Sequence, residues 1–144
     1  MSRFRLFSDA EEWFNLGVKR VFIVDDDPQV FKIIETVFRH SPLELIPYPN
    51  GLACWEALQQ QSQMPDLIVM DIMMPHLSGI GLCQKIKADN QFDGIKLLML
   101  SAKDSQRDRL AGLCDGADDY VTKPFHIATL AHKIQYMLAS AQSI

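Results

Sequence analysis

Residues 21–30 read VFIVDDDPQV, and how this stretch is read decides the fold. The opening VFIV, with Arg20 before it, is an unbroken apolar run, as in a strand covered on both faces. Asp27-Pro28 then starts a helix: aspartate is a favoured N-cap, and proline fits the first helical position because its missing N–H would be unpaired there anyway. Val30, Ile33, Ile34 and Val37 follow at i, i+3, i+4 and i+7, the stripe of a helix with one buried face. The segment is therefore a strand-to-helix unit with carboxylates packed into its turn. Two carboxylates about 4 Å apart repel by roughly 1 kcal/mol in water and about 4 kcal/mol near a protein surface. Either the three aspartates are a solvated turn, or something cationic makes their crowding tolerable.

The same unit recurs outward from this point. DLIVM (66–70) and KLLML (96–100) are further covered strands. LELIPY (43–48) alternates and contains Pro47, which suits an edge strand, and DYVT (119–122) is a short fifth strand. Helical spacing lies between and after them. Cys54, Trp55 and Leu58 mark 51–61; Leu82, Cys83 and Ile86 mark 79–88; Leu110, Leu113 and Cys114 mark 105–114. Ile127, Leu130, Ala131, Ile134, Met137 and Leu138 mark a last helix ending near Ser140. Strand and helix alternating five times predict right-handed crossovers and a parallel sheet with helices on both faces. Residues 1–18 stand outside the pattern as an N-terminal extension, with one domain from 19 to 144. In the extension, SDAE (8–11) is a capping box, Trp13, Phe14 and Leu16 follow, and Gly17 is a stop. A short extra helix is expected there, packed on the domain or available to a partner.

Composition narrows the function. The 144 residues are 48% hydrophobic and carry a net charge of -4, which suits one globular domain. That charge argues against direct nucleic-acid binding, which needs a basic field. No run reaches the ~18 apolar residues of a membrane span, and MSRFRLFSDAEE lacks the apolar core of a secretory signal. Cys54, Cys83 and Cys114 show no metal or paired spacing and read as reduced, buried residues, so the cytoplasm is the expected compartment.

In an open parallel sheet, ligands bind beyond the carboxyl ends of the strands. Here the first strand ends at Asp25 and Asp26, the third at Asp71, the fourth at Ser101 and the fifth near Lys123. Three carboxylates, a hydroxyl and an ammonium should converge on one edge. A hard divalent cation such as Mg2+ takes oxygen ligands and would relieve the carboxylate repulsion. A carboxylate can act as nucleophile toward phosphorus, with Lys123 and Ser101 stabilising phosphoryl oxygens. Singly, each residue is unremarkable, and Asp27 reads as a helix cap only.

VFIVDDDP, PDLIVMDIMMPHLSG, LMLSA and GLCDGADDYVTKPF together resemble the successive signatures of the response-regulator receiver domain, over residues 19–140. The resemblance implies a doubly wound, flavodoxin-like α/β fold with five parallel strands in the order 2-1-3-4-5. It implies Asp71 as phosphoacceptor and Mg2+ or Mn2+ held by Asp26 directly, Asp25 through water, Asp71 and the Met73 carbonyl. It further implies Ser101 and Tyr120 as switch residues, and Lys123, before a cis Pro124, as the phosphoryl-binding cation. His76 and Ser78 depart from the family's usual glycine and acid in the loop after Asp71. A histidine kinase or phosphotransfer protein would be the donor. The reader would be a separate protein, or a second copy, at the face of the fourth helix, fifth strand and fifth helix (102–133). Such a chain catalyses only its own phosphorylation and dephosphorylation.

Rival readings fit less well. An aspartate-nucleophile phosphohydrolase wants a second aspartate two residues on, where Met73 stands. A flavodoxin wants a hydroxyl- and glycine-rich loop where DDDPQV stands, and GIGLCQ (79–84) lacks a dinucleotide motif's third glycine. A degenerate receiver acting only as an interaction scaffold keeps the fold but would have no use for the full site. His40, His76, His126 and His132 have no ligand spacing.

Overall fold

In the computed structural model, the described residues are 17–60, 64–74, 76–102 and 116–141, with residues 140 and 141 described by their backbone alone. β1 spans Lys19–Val24, α1 Pro28–Val37, β2 Leu43–Tyr48, α2 Gly51–Gln60 and β3 Leu67–Asp71. α3 spans Gly79–Lys87, β4 Lys96–Ser101, β5 Asp119–Thr122 and α4 Ile127–Ala141, with a 3-10 turn at Asn90–Phe92. The expected N-terminal helix (8–16) and the helix expected over 105–114 fall outside the described residues.

The five strands form one sheet in the order β2-β1-β3-β4-β5, and every neighbouring pair is parallel. Side chains alternate across a strand, and here the alternation sorts the core into two clusters. Val21, Ile23, Leu67, Val69, Leu98 and Leu100 pack with Val30 and Ile34 of α1 and Leu130, Ile134 and Leu138 of α4. Phe22, Val24, Ile68, Met70, Leu97 and Met99 pack with Cys54 and Leu58 of α2 and Leu82 and Ile86 of α3. Both faces are covered, which is why β1, β3 and β4 read as continuous apolar runs. β2 is an edge strand paired only to β1, with Pro47 opposite Ile23.

Local chemistry sets the helix starts. The Asp27 carboxylate accepts from the Gln29 N–H at 2.9 Å, and Pro28 takes the first helical position of α1. The Ser78 hydroxyl accepts from the Gly81 N–H at 3.1 Å to cap α3. His76 has φ +66°, a left-handed conformation in which a non-glycine residue carries strain.

One expectation is corrected. Cys54 is free and buried, and burial pushes its thiol up to about 12. Cys83, however, is disulfide-bonded. The sequence around Cys83 carries no CxxC or other paired spacing that would separate it from Cys54.

Candidate functional site

Asp25 follows β1 directly, and two backbone bonds hold it there. Its N–H donates to the Tyr48 carbonyl at 3.2 Å, and its Oδ1 accepts from the Asp27 N–H at 2.8 Å. Asp71 is the last residue of β3, and its Oδ1 accepts from the Met73 N–H at 3.1 Å. β1 and β3 are neighbours in register, so the two carboxylates meet at one sheet edge. Asp26 lies beside them and is exposed. Asp25, Asp26 and Asp71 each offer an oxygen, and these oxygens lie within 4.8 Å of one another.

Lys123 arrives from the end of β5. Its N–H donates to the Ser101 carbonyl, tying the ends of β4 and β5 together, and the Lys123–Pro124 bond is cis. The Lys123 ammonium donates to Asp25 Oδ2 at 2.9 Å and to Asp71 Oδ2 at 3.2 Å. Two carboxylates thus share one ammonium, and the balance shows in proton affinity. Burial raises the Asp25 pKa most, against lowering by the Asp27 N–H and by Lys123, with Asp71 adding to the rise. Burial alone would lower the Lys123 pKa, but the bonds and charges of Asp25 and Asp71 together raise it.

This donor set, all hard oxygens with negative charge in excess, could hold a divalent ion such as Mg2+ or Mn2+. Asp27 is set apart from it as a helix cap, as its spacing from Pro28 implied. Met73 is exposed and reaches the site through its backbone N–H. Ser101 is fully buried at the end of β4, opposite Thr122. Tyr120 is partly buried against the Phe22–Met99 cluster. The face expected to be read by a partner is described only in part, because residues 103–115 lie outside the described residues.

Sequence reading missed two glycines that shape the site. The Gly79 N–H donates to the Ile72 carbonyl at 3.0 Å, and a Cβ on Gly79 would sit 2.3 Å from the Asp71 carbonyl oxygen. A Cβ on Gly51 would sit 2.3 Å from the Leu77 carbonyl oxygen. A glycine at the first position of a helix, where a side chain is free to point outward, is the available signal of such a close approach.

Comparison with known proteins bears on the fold and the family. The family model described as "Response regulator receiver domain" matches residues 21–135. The probable transcriptional regulatory protein TcrX of Mycobacterium tuberculosis is 35% identical over 118 residues, 82% of this chain and 49% of that protein. The chain therefore spans about half the length of the curated relatives it matches. The Francisella response regulator 1452 receiver domain aligns with a TM-score of 0.73 at 30% identity, covering 85% of this chain and 98% of that one. The response regulator TrrA of Thermotoga maritima, solved in complex with Mg2+-BeF, aligns with a TM-score of 0.69 at 27% identity, covering 83% and 98%. Among the described residues, no helix is long and apolar enough to cross a membrane.

Proposed function

Because this chain belongs to the response-regulator receiver family, we propose that it accepts a phosphoryl group on Asp71 and passes the signal on as a changed surface. Receiver domains work with histidine kinases, so the donor is a phosphohistidine. The N–P bond breaks with its electron pair left on the imidazole nitrogen, and an O–P bond forms at an Asp71 oxygen. The observation that carries this reading is the junction of Lys123 with both Asp25 and Asp71 at the sheet edge. Lys123 bridges the carboxylates before transfer and is placed to meet a phosphoryl oxygen afterward. A divalent ion held by Asp25, Asp26, Asp71 and the Met73 carbonyl would neutralise further phosphoryl charge. Ser101 and Tyr120 then respond to roughly two added negative charges at Asp71, and β5 and α4 carry the change to a partner protein or a second copy. The chain turns over no external substrate.

The direct test is to incubate the protein with a small phosphodonor and Mg2+ and to weigh it. The wild type is expected to gain one phosphoryl mass, and Asp71→Asn none. Labelling of the Asp71→Asn variant to the wild-type level would refute the assignment. The cation ligands are tested separately by thermal melts. At tenfold above Kd, Mg2+ should stabilise the fold by about 1.4 kcal/mol. Asp26→Ala should remove most of this gain. Asp27→Ala should keep it while losing the ~1 kcal/mol of a helix cap. Equal loss of the Mg2+ response in both variants would count against this ligand set.

A further inference from the structure

Between the first turns of α1 and the end of β2 opens a cleft of about 450 Å³ that shares Asp25 and Asp26 with the site and extends past them along a wall the proposed transfer does not use. Its wall is apolar, built from Phe31, Tyr48 and the prolines on either side of Tyr48. Asp26 and Asp27 are acidic residues of its rim, with Lys32 as the basic one. A volume of this size with an apolar wall and a few polar groups is that of a binding pocket. The occupant that fits must be apolar on one side and cationic on the other.

The chain itself contains such a segment. Residues 3–7 read Arg-Phe-Arg-Leu-Phe, so in extended form Phe4 and Leu6 share one face and Arg3 and Arg5 the other. We propose that this cleft is the docking site of the chain's own residues 3–7, with Phe4 and Leu6 against the Phe31–Tyr48 wall and Arg3 and Arg5 on Asp26 and Asp27. The charges are complementary, and Asp26 has no ion pair with any described residue. The reach is sufficient. β1 carries the chain ~23 Å from its start at Lys19 to the rim. The eleven residues 8–18 that separate the segment from β1 can span up to about 36 Å. Tethering also makes a weak contact adequate. A short linker holds the segment at millimolar effective concentration, so a contact of about 1 mM Kd is well populated.

Docking has a consequence for the site, and this part rests on the reading of Asp25, Asp26 and Asp71 as the cation ligands. A guanidinium on Asp26 and a divalent ion compete for the same carboxylate. The N-terminal segment is then an internal competitor that weakens Mg2+ binding, by about threefold to tenfold for a tether of this strength.

The test uses the full chain and two variants, Arg3→Glu/Arg5→Glu and the charge-neutral Phe4→Ser/Leu6→Ser. Amide NMR spectra without Mg2+ should move at Phe31, Lys32 and Tyr48 in both variants. Calorimetric titration should show Mg2+ bound about threefold to tenfold more tightly by both. A peptide of residues 2–8, added to the charge variant, should shift the same amides back toward the wild-type positions. The proposal is overturned if those amides stay unmoved, or if they move only elsewhere, such as on α4. It is also overturned if only the charge variant responds, since that would be long-range electrostatics without docking. If the wild type bound no Mg2+ at all, the cation reading would fail, while the amide shifts would still decide the docking.

Discussion

Lys123→Met is expected to lower stability by about 1–3 kcal/mol in metal-free buffer and to slow phosphorylation at Asp71 at least a hundredfold. Lys123 is the only cation that the described residues bring into contact with Asp25 and Asp71. Its removal leaves two poorly solvated carboxylates facing each other. The lower part of the stability range applies because Lys123 keeps about a quarter of its side chain in solvent (26%), which screens the pair. The loss should depend on pH in a definite direction. Asp25 already has a raised pKa, chiefly from burial, so the native state binds its proton more tightly than the unfolded chain does. Stability therefore falls as pH rises above the ordinary value of 3.8 and levels off once Asp25 is fully ionised. Without Lys123 that fall should steepen. The raised Lys123 pKa acts at the other end: its contribution is complete below 10.5 and is lost as pH rises through its folded value. Urea unfolding of both proteins at pH 4.5 and 7.5 checks this. A Lys123→Met penalty no larger at pH 7.5 than at 4.5 would contradict it. Mg2+ should also restore more stability to the variant than to the wild type, since it replaces the missing positive charge.

Gly79→Ala is expected to cost about 2–3 kcal/mol, a large effect for one methyl group on a helix. The added Cβ would lie 2.3 Å from the Asp71 carbonyl oxygen and 2.9 Å from the Ile72 Cα. Both are backbone atoms that cannot rotate away, so α3 must move off the end of β3 or β3 must bend. Either displaces Asp71, and the Mg2+-dependent gain in melting temperature should shrink with it. Gly116→Ala is the control. There the close atoms belong to the flexible Lys87 side chain, and a change within about 0.5 kcal/mol is expected. If the two substitutions cost the same, the contact at Asp71 does not have the role described.

The sheet was legible because its signals are local. Continuous apolar runs marked β1, β3 and β4, the proline in LELIPY marked the edge, and Asp27-Pro28 marked the start of α1. The carboxylates and Lys123 were legible as the residues that follow strand ends, since parallel strands deliver their carboxyl ends to one side. What the sequence hid is relational. Nothing local to GIGLCQ says that Gly79 abuts the backbone of Asp71. Nothing local to Cys83 distinguishes it from Cys54, although one is bonded and the other free. The cleft beside Tyr48 joins residues from two elements about 20 positions apart, so only the folded chain reveals it.

The strand order has a kinetic side. Every pairing among the described strands is parallel, so these strands offer no hairpin to nucleate the sheet, and each ladder must close a long loop before any bond repays the entropy. The site is the extreme case, because Lys123 and Asp25 stand 98 positions apart. A partly folded intermediate that has β1 and β3 but lacks β5 would carry crowded carboxylates with no ammonium to bridge them. On the function proposed above, a chain able to accept the phosphoryl group is therefore one in which β5 has already joined the sheet.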